Sequence, residues 1–190
     1  MNSPAKSDIR PQNSTAKKRF RHVFEMVLFA MLATLMFVSK IIMEALPNIH
    51  LLALLIIVYT VIFRVKALIP IYLYVLLNGL YGGFSLWWFP YLYIWTLLWG
   101  IVMLLPKKMP PTVACIVYAT VACLHGLLYG ILYSPAQALL FDLDFEEAIA
   151  WIIAGFPFDI IHGVSNFIVT LSALPLIKTL KRAMRSTGLY

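Results

Sequence analysis

Apolar runs of membrane-crossing length alternate with short clusters of Lys and Arg along this chain, and six such runs can be marked. They cover about residues 23–42, 50–63, 67–80, 91–105 and 112–133, with a sixth within 145–177. Pro47, Arg64-Val-Lys66, Tyr81-Gly82-Gly83, Pro106-Lys107-Lys108 and Ser134-Pro135 punctuate them. A hydrocarbon core takes about 20 apolar residues per helix. The pattern predicts an all-α integral membrane protein, a compact bundle of six transmembrane helices.

The basic residues sharpen this into a topology. Of 15 Lys and Arg, all but Lys40 lie in the clusters 6–21, 64–66, 107–108 and 178–185. With the N-terminus inside, the inner regions hold six, two, two and four of them, as the positive-inside rule requires. The outer regions hold Lys40, Glu44, Asp142, Asp144, Glu146 and Glu147. Five or seven spans would put a basic cluster outside, so both termini are expected to be cytoplasmic. Residues 1–22 then form a disordered basic tail, 23–177 the membrane domain and 178–190 a second basic tail.

The last run is too long for one straight crossing, since 33 helical residues reach about 50 Å. Pro157 suits a first helical turn, which predicts a span over 157–176. An amphipathic stretch at 145–154 would precede it, with Trp151 at headgroup depth.

Composition narrows the function. At 62% hydrophobic and 12% charged, the 190 residues leave no room for a second folded domain. No Gly-rich phosphate loop is present, so energised work would draw on a partner. The net charge of +7 is accounted for beside spans rather than in a nucleic-acid surface. Cys115 and Cys123, eight apart, would sit about 12 Å apart on a helix, too far for a disulfide.

Polar residues inside spans need an account, because a central charge costs about 2.5–3.5 kcal/mol to insert. Asp159, His162 and Asn166 share one helix face at i, i+3 and i+7, and His125 and Tyr129 share another at i and i+4. Asn78 lies one turn from Tyr74, and Asn48 and His50 follow the first run. Taken alone, His125, His162 and Asn166 fit interhelical hydrogen bonding, Asp159 suits a helix N-terminus, and Asn48 and His50 fit an ordinary solvated loop. Together they suggest a polar pocket open to the outside. Tyr81, Trp87, Trp88, Tyr91 and Trp95 add rings that fit either an interfacial belt or stacking on a flat ligand. No catalytic residue and no metal site is expected. Ser165 beside His162 lacks a nucleophile elbow, and His-Glu-x-x-His is absent.

Six spans, a basic tail and an outer aromatic pocket resemble the substrate-binding S-component of an energy-coupling factor (ECF) transporter. Met43-Glu-Ala-Leu-Pro-Asn-Ile-His50 is similar to the Pro-Asn stretch after the first helix in that family. The runs from Leu76 to Phe84 and from Trp87 to Trp95 resemble members of it as well. The resemblance implies capture of a vitamin-like micronutrient at a bacterial plasma membrane. It also implies partners: a coupling transmembrane subunit and two cytoplasmic ATPase subunits, with no cofactor in this chain. Ala30, Ala33 and Thr34 stand where the family's small residues meet the coupling subunit. The competing readings are a stand-alone proton-coupled carrier, relaying through Asp159 and His162, and a small membrane enzyme or assembly factor. The acidic run 142–147 favours a neutral or cationic solute by steering.

Overall fold

The computed structural model describes residues 10–46 and 48–186, with side chains from residue 18. The described residues are helical, without strands. Pro47 and the start of the basic tail lie outside them. Five stretches are long and apolar enough to cross a bilayer: Lys18–Ile42, Leu52–Gly82, Leu86–Leu104, Pro111–Phe141 and Phe145–Thr170. This is a multi-pass membrane protein.

Helix α1 (Arg10–Ile42) begins well before the expected residue 23 and takes in residues 10–22. Polar, basic sequence carries no apolar signal, yet it extends a helix that the following run nucleates. Helix α2 (Leu52–Phe63) is apolar all round and buried all round, with Leu52 to Thr60 and Ile62 shielded. That is the signature of a central element. It ends where Arg64 takes φ 55°, unusual for a residue with a Cβ. The strain is held from two sides. Arg64 Nη2 donates to the carbonyl of Met103 at 2.8 Å, and the Arg64 carbonyl accepts from Trp99 Nε1 at 3.1 Å.

The chain reverses through the 3₁₀ turn Arg64–Ala67 into α3 (Leu68–Gly82). Contacts along α1 establish the reversal. Tyr59 OH bonds the Leu32 carbonyl, Phe63 meets Phe29, and α3 then returns to place Tyr81 on Phe37. The second apolar stretch is thus two opposed helices. At 12 residues, α2 rises only about 18 Å, less than a bilayer core.

Helix α4 (Tyr91–Leu104) packs on α2 and α3. Helix α5 (Pro111–Leu127) starts on its proline and continues, bent at Leu128, as α6 (Tyr129–Phe141). The expected stop of the fifth run at Ser134-Pro135 does not occur, and the helix passes through Pro135. Proline inside a membrane helix is tolerated where neighbours re-satisfy the freed groups. Helix α7 (Phe145–Thr170) is likewise unbroken at Pro157, so neither a start there nor a separate stretch at 145–154 occurs. It starts at Asp144, whose carboxylate accepts from Glu147 N at 2.8 Å while Glu147 Oε2 accepts from Asp144 N at 3.0 Å. This capping box sets the start. The acidic run is therefore a helix start as well as a solvated loop.

The chain leaves α7 at Leu171-Ser172 and forms α8 (Ala173–Ser186). Ala173, Ile177 and Met184 bury one face against the bundle, and Lys178 and Arg182 are exposed on another. Spacings of four and seven residues make that apolar stripe. Met184 gathers with Arg21, Glu25 and Lys66, so the basic clusters of α1, the α2–α3 turn and α8 share one end of the bundle.

Candidate functional site

Helices α5–α6 and α7 run antiparallel in close contact. Gly126 and Gly163 permit it: a Cβ on Gly126 would lie 2.8 Å from the Gly163 backbone. Small residues at such a crossing let membrane helices approach. This register places α7's polar face against α5–α6. Asn166 Nδ2 donates to the Ala122 carbonyl at 3.4 Å, and Asp159 Oδ2 accepts from Gly130 N at 3.0 Å. Asp159 is mid-helix, so the expected N-terminal role does not apply to it.

Five rings from different parts of the chain then form a closed circuit. Trp95 of α4 lies 5.8 Å from His125 of α5, which lies 6.4 Å from Tyr129 of α6. Tyr129 is 5.0 Å from His162 of α7, and His162 is 4.6 Å from His50. His50, in the connection between α1 and α2, closes the circuit 6.4 Å from Trp95. Further rings lead away from it. Tyr133 follows Tyr129 at 6.0 Å and stacks on Trp151 at 5.8 Å, while Tyr91 contacts Trp95 at 5.8 Å and Trp87 at 5.6 Å.

Three rings of the circuit are buried and His50 and Tyr129 are half-buried, yet several of their polar atoms are unsatisfied. Trp95, His125, His162 and Asn166 are each 3% exposed or less. Among the described residues, no group bonds His50 Nδ1, Trp95 Nε1, His125 Nδ1, His162 Nε2 or Asn166 Oδ1. Buried polar atoms are hydrogen-bonded in the great majority of cases, so five orphans on one group of neighbours require a partner. Burial pushes the His50 imidazole down to about 4, with His125 and Lys40 adding repulsion, so the ring is neutral near pH 7. Among the described residues, no group of three His, Cys, Asp or Glu is arranged to hold a metal ion.

The structure separates other expected site residues from this cluster. Asn78 is buried, and its Nδ2 bonds the Tyr74 carbonyl of its own helix at 3.1 Å. Tyr81 is 62% exposed on the α1 side, with Lys40 Nζ 5.9 Å from its ring. Trp88 Nε1 bonds the Val75 carbonyl at 2.8 Å and its ring abuts Phe84, a buttress for the turn into α4. Trp87 contributes its carbonyl to Tyr133 OH at 2.7 Å. Asn48 contributes backbone: Ser165 Oγ donates to its carbonyl at 3.1 Å. Tyr133 and Ser165 join the expected site residues here; Tyr133 continues the His125–Tyr129 spacing by one more turn.

Of the small residues on α1, Ala33 is 1% exposed and belongs to the core. Ala30 and Thr34 lie on the outer face beside Val27, Met31, Leu35 and Val38, with Thr34 Oγ1 bonded to the Ala30 carbonyl at 2.9 Å. A contact surface of all three residues would need α1 to rotate. Comparison with protein-family models, with curated proteins and with solved structures finds no match for this chain.

Proposed function

We propose that this protein is a membrane-embedded binding subunit that captures a small, ring-bearing micronutrient. It would act as the S-component of an ECF-type importer in a bacterial plasma membrane. The observation that supports this most directly is the circuit of His50, Trp95, His125, Tyr129 and His162, with its unpartnered polar atoms. Aromatic rings suit a ring-bearing guest, and the orphaned donors and acceptors offer hydrogen bonds that a guest or buried water can complete. In this reading the basic end faces the cytoplasm, as the positive-inside rule asks. The tryptophan-rich turn before α4 then faces outward. Delivery falls to a coupling membrane subunit and two ATPases, because the chain carries no phosphate loop.

The test is a mass-spectrometric inventory of the protein purified in mild detergent from its host. A bound vitamin-like molecule together with a membrane subunit and two ATPases supports the proposal. Recovery alone and empty overturns it in favour of a solitary carrier. Asp159, a carboxylate with a single backbone N–H, is what favours that second reading.

A further inference from the structure

Two recesses at the basic end of the bundle are both bordered by Ile62. In one, Lys66 Nζ donates to Glu25 Oε1, so that recess holds its own carboxylate. The other, of about 210 Å³, lies between the ends of α2 and α4 and the side of α5, and no acid lines it. Its polar residues are Arg64, Lys107 and Tyr118, set against buried Ile62 and Val102. The ion pairs among the described residues are Lys40–Glu44 and Lys66–Glu25, so neither cation of this recess has an acid partner.

Arg64 is held in place against backbone strain. It sits at φ 55°, its carbonyl is bonded by Trp99, and Nη2 donates to the Met103 carbonyl. Strain of this kind persists only where the surroundings over-determine it, and it gathers at functional positions. The bond to Met103 uses one of five guanidinium donors. Tyr118 is 7% exposed, no described residue bonds its hydroxyl, and the Arg64 charge acts on it. A hydroxyl so deeply set without a partner is uncommon. Two cations and a hydroxyl donor converge here with no carboxylate to receive an ammonium headgroup, which selects an anion. At the ends of membrane helices the oxyanion at hand is a lipid phosphate, and basic pockets between such helices hold anionic headgroups.

We infer that this recess is a binding site for a phosphate oxyanion, supplied by the headgroup of an anionic lipid. Arg64 and Tyr118 donate to the phosphate from within the bundle, and Lys107 closes over it from the α4–α5 connection. The assignment is independent of the binding role proposed above.

The experiment places the full chain in nanodiscs of equal phosphatidylglycerol and phosphatidylcholine and reads the retained lipid by native mass spectrometry after mild-detergent transfer. Phosphatidylglycerol is expected to be retained about tenfold over phosphatidylcholine. Tyr118→Phe and Lys107→Gln should each reduce that preference about fivefold, with melting temperatures in pure phosphatidylcholine nanodiscs within a few degrees of the parent. Lys108→Gln removes the same charge one residue outside the recess and is expected to leave the preference intact. Absence of a preference, its survival in Tyr118→Phe, or equal loss in Lys107→Gln and Lys108→Gln overturns the site in favour of a diffuse basic surface. Inorganic phosphate, titrated by calorimetry into the phosphatidylcholine nanodiscs, separates the two sources of the oxyanion. Tyr118-dependent phosphate binding without any lipid preference overturns the lipid assignment and makes the recess a site for a soluble anion.

Discussion

Asp159 Oδ2 and Gly130 N, 3.0 Å apart, join α7 to α6 just beyond the bend at Leu128. The carboxylate takes a backbone donor at a helix start, where intrahelical partners are lacking. The fit leaves no slack, since a Cβ on Gly130 would fall 2.5 Å from Oδ2. Gly130→Ala is expected to cost about 1–3 kcal/mol through this overlap. Asp159→Leu should cost about as much by orphaning the Gly130 N–H. Asp159→Asn keeps an acceptor and should cost clearly less. Apparent melting temperatures of the three variants in one detergent check the order. A ranking with Asp159→Asn worst would show that charge, and not the acceptor, matters.

Glycines elsewhere separate packing from propensity. A side chain on Gly126 meets the Gly163 backbone, which cannot swing aside, whereas nothing lies within 4 Å of a Cβ on Gly100 or Gly155. Gly126→Ala is expected to force α5 and α7 apart and lower the melting temperature. Gly100→Ala and Gly155→Ala should be neutral or raise stability by up to about 1 kcal/mol, because alanine is the better helix former. The same thermal series reads both. Equal loss at all three positions would mean the close crossing is not what makes glycine necessary at residue 126.

Local pattern and tertiary register each account for part of this arrangement. The apolar, helical, membrane-crossing character of the chain is legible in the sequence because a long hydrophobic run needs no tertiary information. The pairing of His125 with Tyr129, and the shared face of Asp159, His162 and Asn166, follow from helical spacing alone. The meeting of those faces depends on the register set by Gly126 and Gly163, which no local pattern encodes. Pro135 and Pro157 mislead for a related reason, since breaking rules drawn from water weaken inside a packed bundle. Nor can ring composition separate Trp95, which joins the circuit, from Trp88, which braces a turn.

The capping box at Asp144 makes a local prediction. Both halves of it sit in exposed residues, so its loss should act on the first turn of α7 and not on the core. Asp144→Ala is expected to cost about 1 kcal/mol. Hydrogen exchange should quicken at residues 145–148 and stay unchanged at 160–170. Uniform acceleration along α7 would mean that this end holds the whole helix in place.

Ser165 controls the one member of the circuit that is not on a helix. Its hydroxyl lies 3.1 Å from the Asn48 carbonyl and 3.0 Å from the His162 carbonyl, tying the connection that carries His50 to α7. Asn48 itself sits at φ 60°, a conformation asparagine tolerates better than most residues but one that gains from an external hold. Ser165→Ala leaves the helix intact and removes the tie, at a cost of about 1 kcal/mol, or roughly fivefold in an opening equilibrium. Exchange of the amides at residues 44–51 is therefore expected to rise about fivefold, with the α5–α7 crossing unaffected. Under the proposed function the same variant should release its guest faster by a similar factor while stacking on the same rings. Unchanged exchange at 44–51 would show that packing of His50 against Trp95 and His162, and not the serine, keeps the connection closed.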